Sequence, residues 1–273
     1  MKDHGGFEHN VQALRIVDLL ERPYPDRPGL NLCHETRGSI LKHGPEKAGE
    51  LGREFERLPH PWLEAQVVDL ADSIAYLSHD VDDGLRFGVL SLQDLEQVEL
   101  WQHARLEAQG RYPKADLREL IRPALNQTLH LPIVDVIEES DRRIQESGIR
   151  TPTQAREAPR RLIAFSPPMQ AMQTQLKGFL FERYYRAERV VKERAECRTR
   201  LRELFEYLLD HPKDMQERPD QLGAAPRVPF GALDSEESSH ARRVCDYVAG
   251  MTDRFTTSEN ERLCRRSRRP GNS

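Results

Sequence analysis

Residues 69–83 read Asp-Leu-Ala-Asp-Ser-Ile-Ala-Tyr-Leu-Ser-His-Asp-Val-Asp-Asp, the clearest helical pattern in the sequence. Residues three, four, seven or eight positions apart share one face of an α-helix. The spacing therefore separates an apolar face from a polar one. The apolar face holds Leu70, Ile74, Leu77 and Val81, and the polar face holds Asp72, Tyr76, His79, Asp80 and Asp83. This pattern predicts an amphipathic helix whose apolar face packs on a core.

The polar face of this helix carries three carboxylates, those of Asp72, Asp80 and Asp83. Like charges stacked along a helix destabilise it by a few tenths of a kcal/mol for each pair. A nearby cation or a ligand hydroxyl would relieve that repulsion. Two interpretations stay open from the pattern alone: a ligand-binding face, or the ordinary solvent-exposed face of a surface helix.

Helical periodicity extends over most of the chain, and no segment alternates as a β-strand does. Helices are predicted at 7–21, 30–43, 62–85, 92–108, 115–131, 133–147, 169–209 and 236–254, with a Pro- and Gly-rich loop at 212–231. The long 169–209 segment contains one glycine, Gly178, and we expect a kink there. The sequence thus predicts an all-α fold.

Composition narrows the class of protein. The 273 residues include 32% charged residues and carry a net charge of −4, so the chain is expected to be soluble and cytoplasmic. A net charge of −4 does not favour binding to nucleic acid. No run of about 18 apolar residues is present, so no membrane contact is expected. The four cysteines are scattered and are read as reduced thiols.

A second polar segment, His-Gly-Gly-Phe-Glu-His-Asn at 4–10, opens the first predicted helix. His9 falls in the first turn of that helix, where backbone N–H groups and the helix dipole favour phosphate. The alternative is an exposed histidine without a role, near a terminus that is poorly ordered.

Other catalytic signatures are missing from the sequence. His34-Glu35 is not followed by the second histidine of a zinc-protease motif. The sequence has no phosphate-binding loop, no dinucleotide glycine motif and no nucleophile elbow.

Four sequence blocks carry the most specific signal in the chain. They read FEHNVQALRIV (7–17) with PGLNL (28–32), EAQVVDLADSIAYLSHDVDDGL (64–85), FLFERYYR (179–186) and DYVAGMTDRF (246–255). Together and in this order, they resemble the bacterial dGTP triphosphohydrolase-like proteins of the HD superfamily. The resemblance implies an enzyme that cuts a dNTP into a deoxynucleoside and tripolyphosphate, with a divalent metal ion such as Mg²⁺ or Mn²⁺.

The resemblance also implies roles for individual residues. Asp72 matches an aspartate that holds the metal, and Tyr76 matches a tyrosine that packs on the deoxyribose. Asp80 matches the carboxylate that recognises the 3′-hydroxyl. His9 matches a histidine near the α-phosphate, which makes it the catalytic candidate. The implied partners are a dNTP substrate and further copies of the chain in a homo-oligomer.

The remaining metal ligands of such enzymes, a histidine and a His-Asp doublet, lie upstream of the FEHN block. The resemblance therefore implies an N-terminally truncated HD-superfamily fold that lacks its first helices. We expect 1–150 to be the C-terminal part of the catalytic domain, 151–255 a helical region, and 256–273 a basic, disordered tail. Since Asp72 alone would hold a metal weakly, we expect only background activity in this chain. The missing helices would leave apolar faces of the Phe7 and Trp62 helices exposed, and such surface promotes association.

Three functional interpretations stay open. The chain is a dNTP triphosphohydrolase that is incomplete as given, or an inactive nucleotide-binding or oligomerising remnant. The third is an HD phosphohydrolase for another nucleotide.

Overall fold

A computed structural model describes residues 1, 4, 6–41, 45–55, 57–215 and 240–265. The described residues form helices and no β-strand, which confirms the predicted all-α class. The α-helices are α1 (His9–Arg15), α2 (His34–Ile40), α3 (Leu63–Arg86), α4 (Leu92–Leu95), α5 (Glu99–Arg111), α6 (Leu117–Ser147), α7 (Pro152–Arg156), α8 (Pro167–Leu180), α9 (Glu188–Asp210), α10 (His240–Ala249) and α11 (Asp253–Asn260). Wider π-helical turns span Ile16–Leu20, Phe181–Tyr185 and Glu261–Arg265, and tighter 3-10 helices span Pro45–Gly52 and Pro212–Asp214.

The chain forms two compact units. One contains residues 57–191, and the other combines 1–56 with 192–273. The domain boundaries expected from the sequence, at 150 and 255, stay predictions. Among the described helices, none combines the length and the apolar character that crossing a membrane requires.

The unit of residues 57–191 packs α3, α5, α6 and α8 around one core. The apolar stripe of α3 lies where the spacing predicts, because Ile74, Leu77 and Val81 are all buried in this core. Trp101 of α5 and Leu176 of α8 are buried in the same core. Burial of one face of α3 leaves its polar face available for a site.

Helix α6 is a single helix, whereas the sequence predicts two helices divided near Pro132. A proline inside a helix has no N–H to donate to the carbonyl four residues earlier, here that of Thr128. The Ser78 hydroxyl of α3 donates to this Thr128 carbonyl at 3.2 Å. A tertiary hydrogen bond therefore replaces the one that Pro132 removes, and the helix continues.

The predicted helix over 169–209 is interrupted, but not at Gly178. Helix α8 continues through Gly178 to Leu180, and the backbone then widens into the π-helical turn Phe181–Tyr185. A π-helical turn carries one more residue than an α-helical turn, so it rotates the side chains that come after it. The expected kink is thus displaced by a few residues and has a different cause. The predicted helix over 92–108 is also divided, into α4 and α5.

The other unit has its own core. Leu204 and Leu208 of α9 are fully buried against Val244 and Tyr247 of α10. Leu263 packs on the same cluster, in the π-helical turn Glu261–Arg265 that follows α11. The tail expected to be disordered at 256–273 is therefore helical where the structure describes it, up to residue 265. Residues 266–273, and the parts of the predicted loop and last helix at 216–239, lie outside the described residues.

Candidate functional site

Helix α3 presents three of the predicted site residues on successive turns of one face. Asp72 is exposed, Tyr76 has 54% of its surface exposed, and Asp80 is half-buried. The spacing of four residues and the anchored apolar stripe together fix this arrangement. The structure therefore brings Asp72, Tyr76 and Asp80 onto one polar face of α3, as predicted.

A fourth side chain completes the group near Asp80. The Tyr185 hydroxyl donates a hydrogen bond to Oδ2 of Asp80. The rings of Tyr76 and Tyr185 lie 6.1 Å apart, centre to centre. Two aromatic rings and one carboxylate thus converge beside two successive turns of α3, and these three residues form the Tyr76–Asp80–Tyr185 cluster.

The π-helical turn after α8 supplies Tyr185. Leu176 and Leu180 are buried in the core, so the end of α8 is held against the same core as α3. The wider turn Phe181–Tyr185 comes directly after it, and Tyr184 packs against Tyr185 with ring centres 5.5 Å apart. Turns of this kind recur at functional sites because they redirect side chains.

The surroundings of Tyr185 favour its protonated form. Burial raises the pKa of the Tyr185 hydroxyl, and the nearby Asp80 and Tyr76 raise that pKa further. The negative charge of an ionised phenol would be costly in such a place, next to a carboxylate. Tyr185 therefore keeps its proton at neutral pH and acts as a donor to Asp80.

Other acidic residues of α3 contact arginines. Asp82 lies 3.4 Å from Arg122 and 3.9 Å from Arg86. Asp69 lies 3.4 Å from Arg161. These carboxylates of α3 thus take part in ion pairs, while the Asp80 carboxylate accepts the hydrogen bond from Tyr185.

Asp72 is the predicted metal ligand, and its surroundings bear on whether a metal fits. Within the described ranges, no group of three or more His, Cys, Asp or Glu side chains is arranged to hold a metal ion. A catalytic divalent ion needs several convergent ligands. The described residues thus do not fit a complete metal site, and Asp72 by itself stays a prediction.

His9, the predicted catalytic residue, belongs to the other unit. Its side chain is 72% exposed, and its Nδ1 lies 3.1 Å from Oε1 of Glu8. The other carboxylate oxygen of Glu8 accepts a hydrogen bond from the Val11 N–H at 2.9 Å, which caps the start of α1. Glu8 therefore joins the helix cap to the imidazole of His9.

The sequence alone gives Tyr185 no role. The block FLFERYYR contributes only to the family resemblance. Its adjacent tyrosines are the available signal, but nothing local indicates that one of them reaches a carboxylate 105 positions earlier.

Comparisons with known proteins show which family the chain resembles. The family model described as the phosphohydrolase-associated domain matches residues 163–262. The chain is 39% identical over 267 residues to the deoxyguanosinetriphosphate triphosphohydrolase-like protein of Azoarcus sp. (strain BH72), covering 96% of this chain and 67% of that protein. The protein of the same name from Ralstonia pickettii (strain 12J) is 39% identical, with 96% and 66% covered. That from Thiobacillus denitrificans (strain ATCC 25259 / T1) is 37% identical, with 96% and 67% covered. The chain thus spans about two thirds of the length of these relatives.

Proposed function

Because the chain belongs to the deoxyguanosinetriphosphate triphosphohydrolase-like family, we propose that it is a dNTP triphosphohydrolase, which releases a deoxynucleoside and tripolyphosphate when its metal site is complete. Within this activity, the Tyr76–Asp80–Tyr185 cluster binds the sugar. The convergence of these three side chains is the observation that carries the proposal.

The chemistry of the cluster suits a deoxyribose. An ionised carboxylate offers about four lone-pair positions, so Asp80 can accept a ligand hydroxyl in addition to the Tyr185 hydroxyl. The hydrogen bond from Tyr185 orients the Asp80 carboxylate before a ligand arrives. The half-exposed ring of Tyr76 supplies a flat apolar surface for the sugar, one turn away on α3.

Asp72 has a different role from Asp80 in this proposal. Eight residues of α-helix separate them by roughly 12 Å along the axis. Oxygen ligands sit about 2–2.6 Å from a divalent ion, so the two carboxylates do not share one. We assign Asp72 to the metal and His9 to phosphate or proton handling. Asp72 would be one ligand among several, since the described residues do not form a complete site for the ion.

Nucleotide binding tests the sugar site directly. The affinity of the protein is measured by calorimetry for dGTP and for 2′,3′-dideoxyguanosine triphosphate, which differ only in the 3′-hydroxyl. We expect the wild type to prefer dGTP by roughly ten- to a hundredfold, because a hydrogen bond to a charged group contributes about 1.5–3 kcal/mol. Asp80→Asn should remove most of this preference, because its amide oxygen accepts only a neutral hydrogen bond.

The matched control is Asp82→Asn, which changes a carboxylate of the same helix that contacts Arg122. It should keep the preference for dGTP. Equal affinity of the wild type for the two nucleotides would overturn the sugar assignment. Clear binding of GTP without binding of dGTP would indicate a phosphohydrolase for another nucleotide.

A further inference from the structure

Helix α10 contacts the segment that carries His9 on both sides of this histidine. Arg242 of α10 donates to the backbone carbonyls of His4 and Gly6, at 3.0 Å and 2.8 Å. These two carbonyls precede His9 in the chain. Contacts to the N-terminal segment therefore come from a helix more than 230 positions away in sequence.

One turn later, α10 contacts the residues that come after His9. Asp246 accepts a hydrogen bond from Gln12 at 2.9 Å. It also accepts two from Arg15, from Nε at 3.2 Å and from a terminal guanidinium nitrogen at 2.6 Å. The two-point contact with Arg15 fixes orientation as well as distance.

The contact between Asp246 and Arg15 is largely shielded from solvent. The Asp246 side chain is 2% exposed, and the Arg15 side chain is 17% exposed. A buried ion pair is costly to break by removing one partner, because the other charge then lacks compensation. The pair thus holds α1 in one position relative to α10.

Helix α1 needs such an anchor. It has only 7 residues before the adjoining π-helical turn, and isolated helices of this length are unstable in water. His9 lies in its first turn with an exposed imidazole, and Glu8 contacts that imidazole while capping the helix. Whatever fixes α1 also fixes the backbone position of His9 and of Glu8, whose carboxylate contacts the imidazole.

We propose that Asp246 and Arg242 are positioning residues for His9, so that α10 sets the geometry of the phosphate-handling histidine. The phosphate role of His9 rests on the proposed function. The anchoring itself rests on the contacts above. Helix α10 lies in the region matched by the phosphohydrolase-associated family model. Its proposed role is to hold the segment that carries His9.

The test observes His9 directly in the 273-residue chain. The protein is labelled with ¹³C at the histidine rings, and His9→Gln assigns the His9 resonance in the NMR spectrum. Asp246→Asn should move the His9 resonance toward the value of a free histidine. Titration with inorganic tripolyphosphate should shift the wild-type resonance, with affinity roughly tenfold weaker in Asp246→Asn.

The matched control is Glu259→Gln, in the same unit. Glu259 is also a buried carboxylate paired with an arginine, Arg262 at 2.7 Å, but it does not belong to the α1 contact. Glu259→Gln should lower stability and leave the His9 resonance in place. If Asp246→Asn fails to fold, the His9 resonance is measured in Arg242→Ala, where we expect the same movement. Arg242→Lys should restore part of the wild-type signal.

The possible results separate the anchoring from the phosphate role. An unchanged His9 resonance in the Asp246 and Arg242 variants would overturn the positioning role. A wild-type resonance that does not respond to tripolyphosphate would instead overturn the phosphate role of His9. The position of the His9 resonance in the variants would still show whether Asp246 and Arg242 anchor α1.

Discussion

The hydroxyl of Tyr185 donates a hydrogen bond to the carboxylate of Asp80, although the two residues are 105 positions apart in sequence. Asp80 reaches this point from α3, and Tyr185 reaches it from the π-helical turn after α8. Both elements are held by the same apolar core. The contact therefore orients a carboxylate before any ligand is bound. Its geometry depends on the core that holds α3 and the end of α8 together.

Removal of the Tyr185 hydroxyl should weaken sugar recognition without abolishing it. In Tyr185→Phe the ring stays, but Asp80 loses one donor. The Tyr185 hydroxyl only orients the carboxylate, and the bond between Asp80 and the sugar remains, so the preference for dGTP over its 3′-deoxy analogue should fall by roughly two- to tenfold. Calorimetry with both nucleotides measures this. Tyr112→Phe, at an exposed tyrosine of the same unit, is the control. A Tyr185→Phe protein with the wild-type preference would show that Asp80 does not depend on Tyr185.

We expect the 273-residue chain to release tripolyphosphate from dGTP no faster than buffer does, with Mn²⁺ or Mg²⁺ present. The physical reason is that Asp72 is the one predicted metal ligand on the exposed face of α3, and one carboxylate holds a divalent ion weakly. Separation of the products by ion-exchange chromatography measures the rate. Release that Asp72→Ala abolishes would contradict this prediction and would mean that the ion has further ligands in this chain.

Exposed valines at the start of α3 should promote self-association. Val67 and Val68 are each about half-exposed and adjacent, and apolar patches of this kind drive contacts between proteins. The double variant Val67→Thr with Val68→Thr keeps the shape and adds hydroxyls, so it should shift the protein toward monomer in sedimentation velocity at matched concentrations. Val191→Thr, at a similarly exposed valine of α9, is the control. Equal association of the two variants would exclude this patch as the interface of the proposed homo-oligomer.

The Glu139 ion pairs predict a specific loss of stability in acid. Hydrogen bonds from Arg142 and Arg143 lower the pKa of Glu139 from 4.5 to about 2. A carboxyl whose pKa is lower in the folded state stabilises the protein above its unfolded pKa, and that contribution is lost as the pH falls through about 2. Glu139→Gln should therefore lower the melting temperature by several degrees at pH 7, with a smaller difference from the wild type as the pH approaches 2.

Thermal melts from pH 7 to pH 2 check this, with Glu138→Gln as the control at an exposed neighbouring residue. The control should melt like the wild type throughout. A difference between Glu139→Gln and the wild type that stays constant down to pH 2 would mean that the ionised form of Glu139 is not what stabilises α6.

Local spacing determined the all-α class and the two faces of α3. Ile74, Leu77 and Val81 repeat with helical periodicity, and the side chains on the opposite face are set by that repeat, so the arrangement of Asp72 and Asp80 on α3 could be read from the sequence. The resemblance of four ordered blocks determined the family, because no single short motif of this chain is specific enough.

Only the tertiary structure decided which distant residues meet. Pro132 would end a helix on local grounds, yet α6 continues because Ser78 of α3 supplies the missing hydrogen bond. Tyr185 reaches Asp80, and Asp246 reaches Arg15, through packing between elements far apart in the chain. Hydrophobic periodicity shows which side chains of one segment share a face, and it carries no information about the other segments. Such pairings depend instead on the free energy of bringing segments together, which no local pattern encodes.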